Sequence, residues 1–322
     1  MKCFFYLVVA CSVFFFLGTG SAISAPMQLG TAACEKIISE PSVNEIVREV
    51  FEKKAAKLEK EGKLSRTFWA KNKDLIFTVC DNRASYDTFV VYGKGVVFDY
   101  QMVAFLFAQS RALIVGRYIS LTQQFDVHAE LVRQFVEQGP ALDGGPLAII
   151  EKKALELGMS KPAFDIMLAD PEFQRREQTF FLQAMYFLAM HERCHVALDH
   201  RARLDEIQHL PDAEQLVARQ RLELDADRCA LDIINSDEAQ FKSSPVSFFG
   251  VLMTVATQSI IANQPSLMTE RSHPSTRDRM ASATDITLDY ISKSDSALAQ
   301  TYESTIRGTV TYFNALLAGP HF

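Results

Sequence analysis

The run from Phe187 to Leu198 contains His191-Glu192-Arg193-Cys194-His195. On an α-helix, histidines four apart stand about 40° from each other, so both imidazoles reach one ion. Zinc suits them, since imidazole nitrogen binds it well at roughly 2.0–2.1 Å. Glu192 lies beside the same face and can take a proton from water held at the metal. With 7 histidines in 322 residues, chance placement produces roughly 0.01 such motifs per chain.

A hydrolytic zinc site uses three protein ligands and keeps one position open for water. The segment Leu222-Glu223-Leu224-Asp225-Ala226-Asp227-Arg228 offers the third. Glu223 and Asp227 are four apart on a second helix and share a face. Glu223 can bind the metal. Asp227 can accept a hydrogen bond from the far nitrogen of a ligating histidine, which fixes its tautomer and raises its basicity. Taken alone, the two acids would read as an exposed helix face; downstream of the histidine pair they read as ligand and support.

Three motifs in this order resemble those of the HtpX/CAAX-prenyl-protease gluzincins, a family with periplasmic members such as BepA. They are His191-Glu192-x-x-His195, Glu223-x-x-Ala226-Asp227 and His273-Pro274-Ser275-Thr276-x-x-Arg279. Val196-Ala197-Leu198-Asp199-His200 is similar to the family's continuation of the first motif helix. The resemblance covers residues 187–280 and implies a zincin-like domain. It implies zinc on His191, His195 and Glu223, with Glu192 as general base and Asp227 behind the ligands. It places His273 near the metal, either stabilising the oxyanion or closing the open position, and has Arg279 hold the His273 loop, through an acidic partner. Three features depart from the family. Arg193 and Cys194 stand where an aliphatic and a small residue are usual, so a buried Arg193 needs a carboxylate or carbonyl partner. A helical insertion at about 100–172 separates the hairpin from the motif helix. No multi-span region or tetratricopeptide repeat accompanies the motifs.

The elements that must position these groups are mostly helices. Ser42 can cap a helix from Val43 to Glu61 that ends at Gly62. Residues 74–79, 88–92 and 95–98 read as strands, the last two around Gly93-Lys94-Gly95, and make a small antiparallel sheet. Gln101–Tyr118 is apolar but interrupted by Gln109, Ser110 and Arg111, which suits a core helix better than a membrane span. Residues 121–137 are amphipathic, and His128 reads as a surface residue. Pro146 and Pro162 start short helices, and Asp170-Pro171 opens a long one over 173–201. Further helices are expected over 212–234, 245–262 and 284–317. The fold class is mainly α with a small antiparallel β-sheet, as one catalytic domain over 43–318 that follows a lead-in at 26–42.

Composition bounds the function classes. The chain is 48% hydrophobic and 22% charged, with a net charge of −6. Such a chain has material for a large core, and its charge argues against a nucleic-acid binder. Lys2, the apolar run Cys3–Leu17 and the small residues Gly18–Ala25 read as a signal peptide over 1–25. The run is shorter than the ~20 residues a span requires, so no transmembrane span is expected after its removal. Cys34, Cys80, Cys194 and Cys229 then remain. In an exported chain this even count permits Cys194–Cys229 and Cys34–Cys80 disulfides; buried free thiols are the other reading.

These residues imply an exported zinc-dependent endopeptidase, periplasmic or secreted, with a protein or peptide substrate and a role in envelope quality control. The 100–172 insertion offers a surface for an envelope partner. Two other readings use the same residues: a zinc-containing chaperone-like or scaffold protein with little proteolytic activity, and a secreted protease effector.

Overall fold

The computed structural model describes residues 53, 55–72, 75–80, 88–91, 95–120, 122–139, 142, 144–235, 246–262, 274–294 and 296–318. The expected signal peptide, the lead-in, Cys34 with its proposed Cys80 bridge, and His273 lie outside the described residues.

The chain passes through helical residues 55–60 to α1 (Arg66–Asn72), which the sequence reading did not anticipate. Three strands follow: β1 (Ile76–Cys80), β2 (Thr88–Val91) and β3 (Gly95–Asp99). Helices take the rest: α2 (Tyr100–Ile119), α3 (Asp126–Gln138), α4 (Gly145–Glu156), α5 (Lys161–Ala169) and α6 (Pro171–Ala197). After them come α7 (His200–Ile207), α8 (Asp212–Asn235), α9 (Val246–Ala262), α10 (Thr276–Ser294) and α11 (Ser296–Leu317).

The sheet corrects the expected antiparallel one. Its order is β1-β3-β2, with β2 antiparallel to β3 and β1 parallel to it. The reason lies in β3, where every residue is buried. An unbroken apolar strand belongs in the middle of a sheet, so the hairpin partner takes one edge and β1 the other. Asp99 ends β3 and caps α2, accepting from the backbone N–H of Gln101 (2.8 Å) and Met102 (3.2 Å). Such a cap satisfies donors that the first helical turn leaves open.

α6 is the axis of the molecule. Asp170 caps its start by accepting from Glu172 N at 2.9 Å, and no glycine or proline interrupts it from Glu172 to Ala197. From Gln183 to Cys194 every residue is buried. A helix covered on all sides runs through a core rather than over it, and here α1, α2, α8 and α9 and the sheet provide the cover. The helices of the 100–172 segment contribute to that same core through Leu106, Leu131, Phe135, Ile150 and Phe164. α2 is long and apolar enough to cross a membrane, and 67% of its apolar window is buried inside the protein.

His128 departs from its expected surface position and is fully buried. Its Nδ1 lies 2.6 Å from the Tyr312 hydroxyl and its Nε2 lies 3.0 Å from Gln109 Oε1. Gln109 Nε2 donates to Thr257 Oγ1 at 2.6 Å, and Thr257 donates to Met253 O at 2.7 Å. Gln109 Oε1 can only accept, so His128 carries a proton on Nε2, and in the neutral ring Nδ1 accepts from the Tyr312 hydroxyl. Burial agrees with this, pulling the His128 pKa down to about 3. The chain of bonds ties α2, α3, α9 and α11 together.

α9 lies against α6 at Gly250. A Cβ at this position would stand 2.6 Å from Gln183 Cβ and 2.8 Å from Ala184 N. Gly250→Ala is expected to push α9 off the axis and lower stability by about 1–3 kcal/mol, as read from the urea midpoint of unfolding.

Candidate metal centre

His191 and His195 lie on the last turns of α6, and Glu223 and Asp227 lie in the middle of α8. The two imidazoles present their Nε2 atoms to each other at 3.1 Å. Glu223 Oε2 is 3.2 Å from His191 Nε2, and Oε1 is 3.6 Å from His195 Nε2. One ligand atom from each of the three residues falls within 4.8 Å of the others. Such a set of inward lone pairs repels itself unless a proton or a cation stands among them. Two imidazoles and a carboxylate are a donor set that fits zinc.

Behind this cluster stand Asp227 of α8 and Arg279 of a third helix. His191 Nδ1 lies 2.9 Å from Asp227 Oδ1. Arg279 reaches both Asp227 oxygens, each at 2.6 Å, and donates also to Gln258 Oε1. Arg279 is placed by the start of α10. Ser275 accepts from Asp278 N at 3.1 Å and donates to Asp278 Oδ2 at 2.6 Å, a Ser-x-x-Asp cap. One turn into that helix, Arg279 faces α8. Asp227 is an acidic partner of the kind expected for it; the His273 loop that it was expected to hold lies outside the described residues.

Glu192 adjoins this face and is nearly buried. Its charge and that of Glu223 act on Arg279 together with Asp227, so the guanidinium pKa rises although burial works against it. Arg193 is fully buried on the far side of α6, with its guanidinium 4.6 Å over the Phe77 ring. The ring's negative face attracts the cation. Cys194 and Cys229 are joined in a disulfide with Cα atoms 6.0 Å apart. It ties α6 to α8 beside His195 in sequence and six residues beyond Glu223.

One residue at the site was not anticipated. His200 Nδ1 lies 2.8 Å from His195 Nδ1, and the ring is buried. The continuous helix expected over 173–201 ends at Ala197. Asp199 then adopts the left-handed conformation, φ 57° and ψ 41°, and α7 begins at His200. Asp tolerates that region better than most residues. Burial and the nearby Arg203 lower the His200 pKa to about 4.

Residues 148–298 match the Peptidase U49 family model. The match supports a peptidase family and a proteolytic function. The matched span includes His191, Glu192, His195, Glu223, Asp227, His273 and Arg279. No curated protein and no solved structure matches the chain.

The charges make the metal-free site pH-sensitive at both ends. Burial pulls the His191 pKa down, but the Asp227 and Glu223 carboxylates outweigh it and raise the value to about 10. The stability this confers is full below the unfolded value of 6.5 and is lost as pH rises through about 10. Burial pushes Asp227 up, but Arg279 and His191 outweigh it and lower the value to about 2. That contribution is full above 3.8 and is lost as pH falls through about 2. In chelator-treated protein at pH 7, Asp227→Asn leaves Arg279 buried without its counter-charge and is expected to lose about 3–5 kcal/mol, measured by urea unfolding. The double variant Cys194→Ala/Cys229→Ala opens a loop with a sequence separation of 35. It is expected to lose about 3–4 kcal/mol from the freed unfolded chain, read in the same assay.

Proposed function

We propose that the chain is a zinc-dependent endopeptidase, with His191, His195 and Glu223 as the ligands and Glu192 as the general base. The observation that carries this reading is the convergence of two imidazoles and a carboxylate from two separate helices on one point. Within this reading the three motifs retain their resemblance to the HtpX/CAAX-prenyl-protease gluzincins and a zincin-like fold.

A zinc ion held by these ligands supplies Lewis acidity, polarising the scissile carbonyl and acidifying the attacking water. The chain's own groups do the rest. Glu192 takes a proton from the water as its oxygen attacks the carbonyl carbon. It then delivers that proton to the departing amine nitrogen as the C–N bond breaks. Asp227 holds the proton on His191 Nδ1, which leaves Nε2 as a lone pair for the metal. Arg279 keeps Asp227 ionised and fixed. His273 acts on the oxyanion or covers the open position. An extended peptide would lie along the hairpin edge of the small sheet, adding a strand.

The reading includes export. The signal-peptide pattern and a disulfide between two structural helices suit an oxidising compartment. Envelope protein quality control is the role proposed there, and the 100–172 helices provide an outer surface for a partner.

Glu192→Gln is expected to retain one zinc per chain and to lose casein hydrolysis by at least a hundredfold. Full activity in that variant would remove Glu192 from the mechanism. Glu223→Ala is expected to lose most of its zinc in a metal assay, and undiminished occupancy would exclude it as a ligand.

A further inference from the structure

We propose that His200 is the positioning residue for His195, accepting a hydrogen bond from His195 Nδ1–H so that the His195 Nε2 lone pair points at the metal. The proposal rests on the metallopeptidase reading above and gives a role to a residue to which the motifs gave none.

A neutral imidazole carries one proton, and the metal needs the nitrogen without it. His195 turns Nε2 toward His191 and Glu223, so in the metal-bound state its proton must sit on Nδ1. The atom facing Nδ1 is His200 Nδ1, at 2.8 Å. Two ring nitrogens at this distance require one donor and one acceptor, so His200 must present a lone pair there and carry its own proton on Nε2. The ring centroids stand 4.8 Å apart with the ring planes at 80° to each other.

The two ligating histidines are therefore supported differently. His191 is backed by the Asp227 carboxylate and His195 by an uncharged ring. A carboxylate draws strongly on the N–H and makes its imidazole a stronger donor. A neutral acceptor fixes the tautomer while leaving more positive charge on the ion. Such an ion is the better Lewis acid for polarising a carbonyl.

The contact exists because the helix stops. On an uninterrupted helix, residues five apart point about 140° away from each other, and His200 could not reach His195. The left-handed Asp199 breaks the helical course after α6, and His200, the first residue of α7, meets His195.

The test compares the full chain with its disulfide intact as wild type, His200→Asn and His200→Leu, titrated with Co²⁺ alone and then with Zn²⁺ in competition. Asn Oδ1 stands two bonds from Cβ, where His Nδ1 stands, and so keeps an acceptor at that point. Leu fills the space without one. Expected are one Co²⁺ per wild-type chain, affinity within about threefold in His200→Asn, and a loss of about 10–100-fold in His200→Leu. Equal affinity in His200→Leu, or an equal loss in a folded His200→Asn, overturns the proposal. If His200→Leu does not fold, the Zn²⁺-loaded wild type decides, because a His195 Nδ1–H···Nδ1 His200 bond gives a ¹⁵N–¹⁵N coupling across it. Absence of that coupling overturns the proposal. Failure of wild type to bind Co²⁺ or Zn²⁺ at all would instead overturn the metal reading itself.

Discussion

Asp227 sits between the Arg279 guanidinium on one side and the His191 imidazole on the other, and the site depends on that arrangement. Arg279 holds both carboxylate oxygens, and the remaining direction of Oδ1 meets His191 Nδ1. All three groups are buried. A buried carboxylate is expensive to leave uncompensated, and here a guanidinium from a third helix compensates it. The pair therefore fixes three helices, α6, α8 and α10, relative to one another. The disulfide from Cys194 to Cys229 adds a covalent tie between the first two. Position and electrostatics come from the same contacts.

The rest of the fold keeps α6 in place. From Gln183 to Cys194 it is enclosed on every side, so its rotation about its own axis is set by packing rather than by solvent. Gly250 lets α9 approach closely, and the Gln109–His128–Tyr312 chain holds the outer helices in register. Farther along the same axis, Glu177 receives a guanidinium from Arg111 on α2. These contacts lie away from His191 and His195 but keep in place the helix that carries them. Three donor atoms that could share one ion tolerate little error in placement, and a rigid axis is the means of meeting that demand.

The legible parts of the sequence were the local ones. The histidine spacing, the Glu223–Asp227 spacing and the proline-marked helix starts follow from helical geometry over four or five residues. Boundaries agree closely for α4, α5, α8 and α9 because Pro146, Pro162, Asp212 and Pro245 mark their starts. His128 was misjudged from its polar neighbours Asp126 and Glu130. The stripe Val127, His128, Leu131, Val132 and Phe135 that it belongs to shows the spacing of a buried face. The parallel pairing of β1 was not legible, since nothing local distinguishes which neighbour a short apolar strand will choose. His200 was hidden for a sharper reason, because helical spacing places it on the wrong side of α6.

By itself the sequence determined the chemistry on offer: which residues can ligate, which can move a proton, and which helical faces carry them. Those properties depend on residue type and on a periodicity of a few residues. Only the tertiary structure decided that α8 and α10 come to α6 at these points, that Arg279 is the partner of Asp227, and that a left-handed Asp199 returns His200 to His195. Those contacts join residues from separate helices or across a break in one. They are set by how whole faces pack, and no local spacing records that.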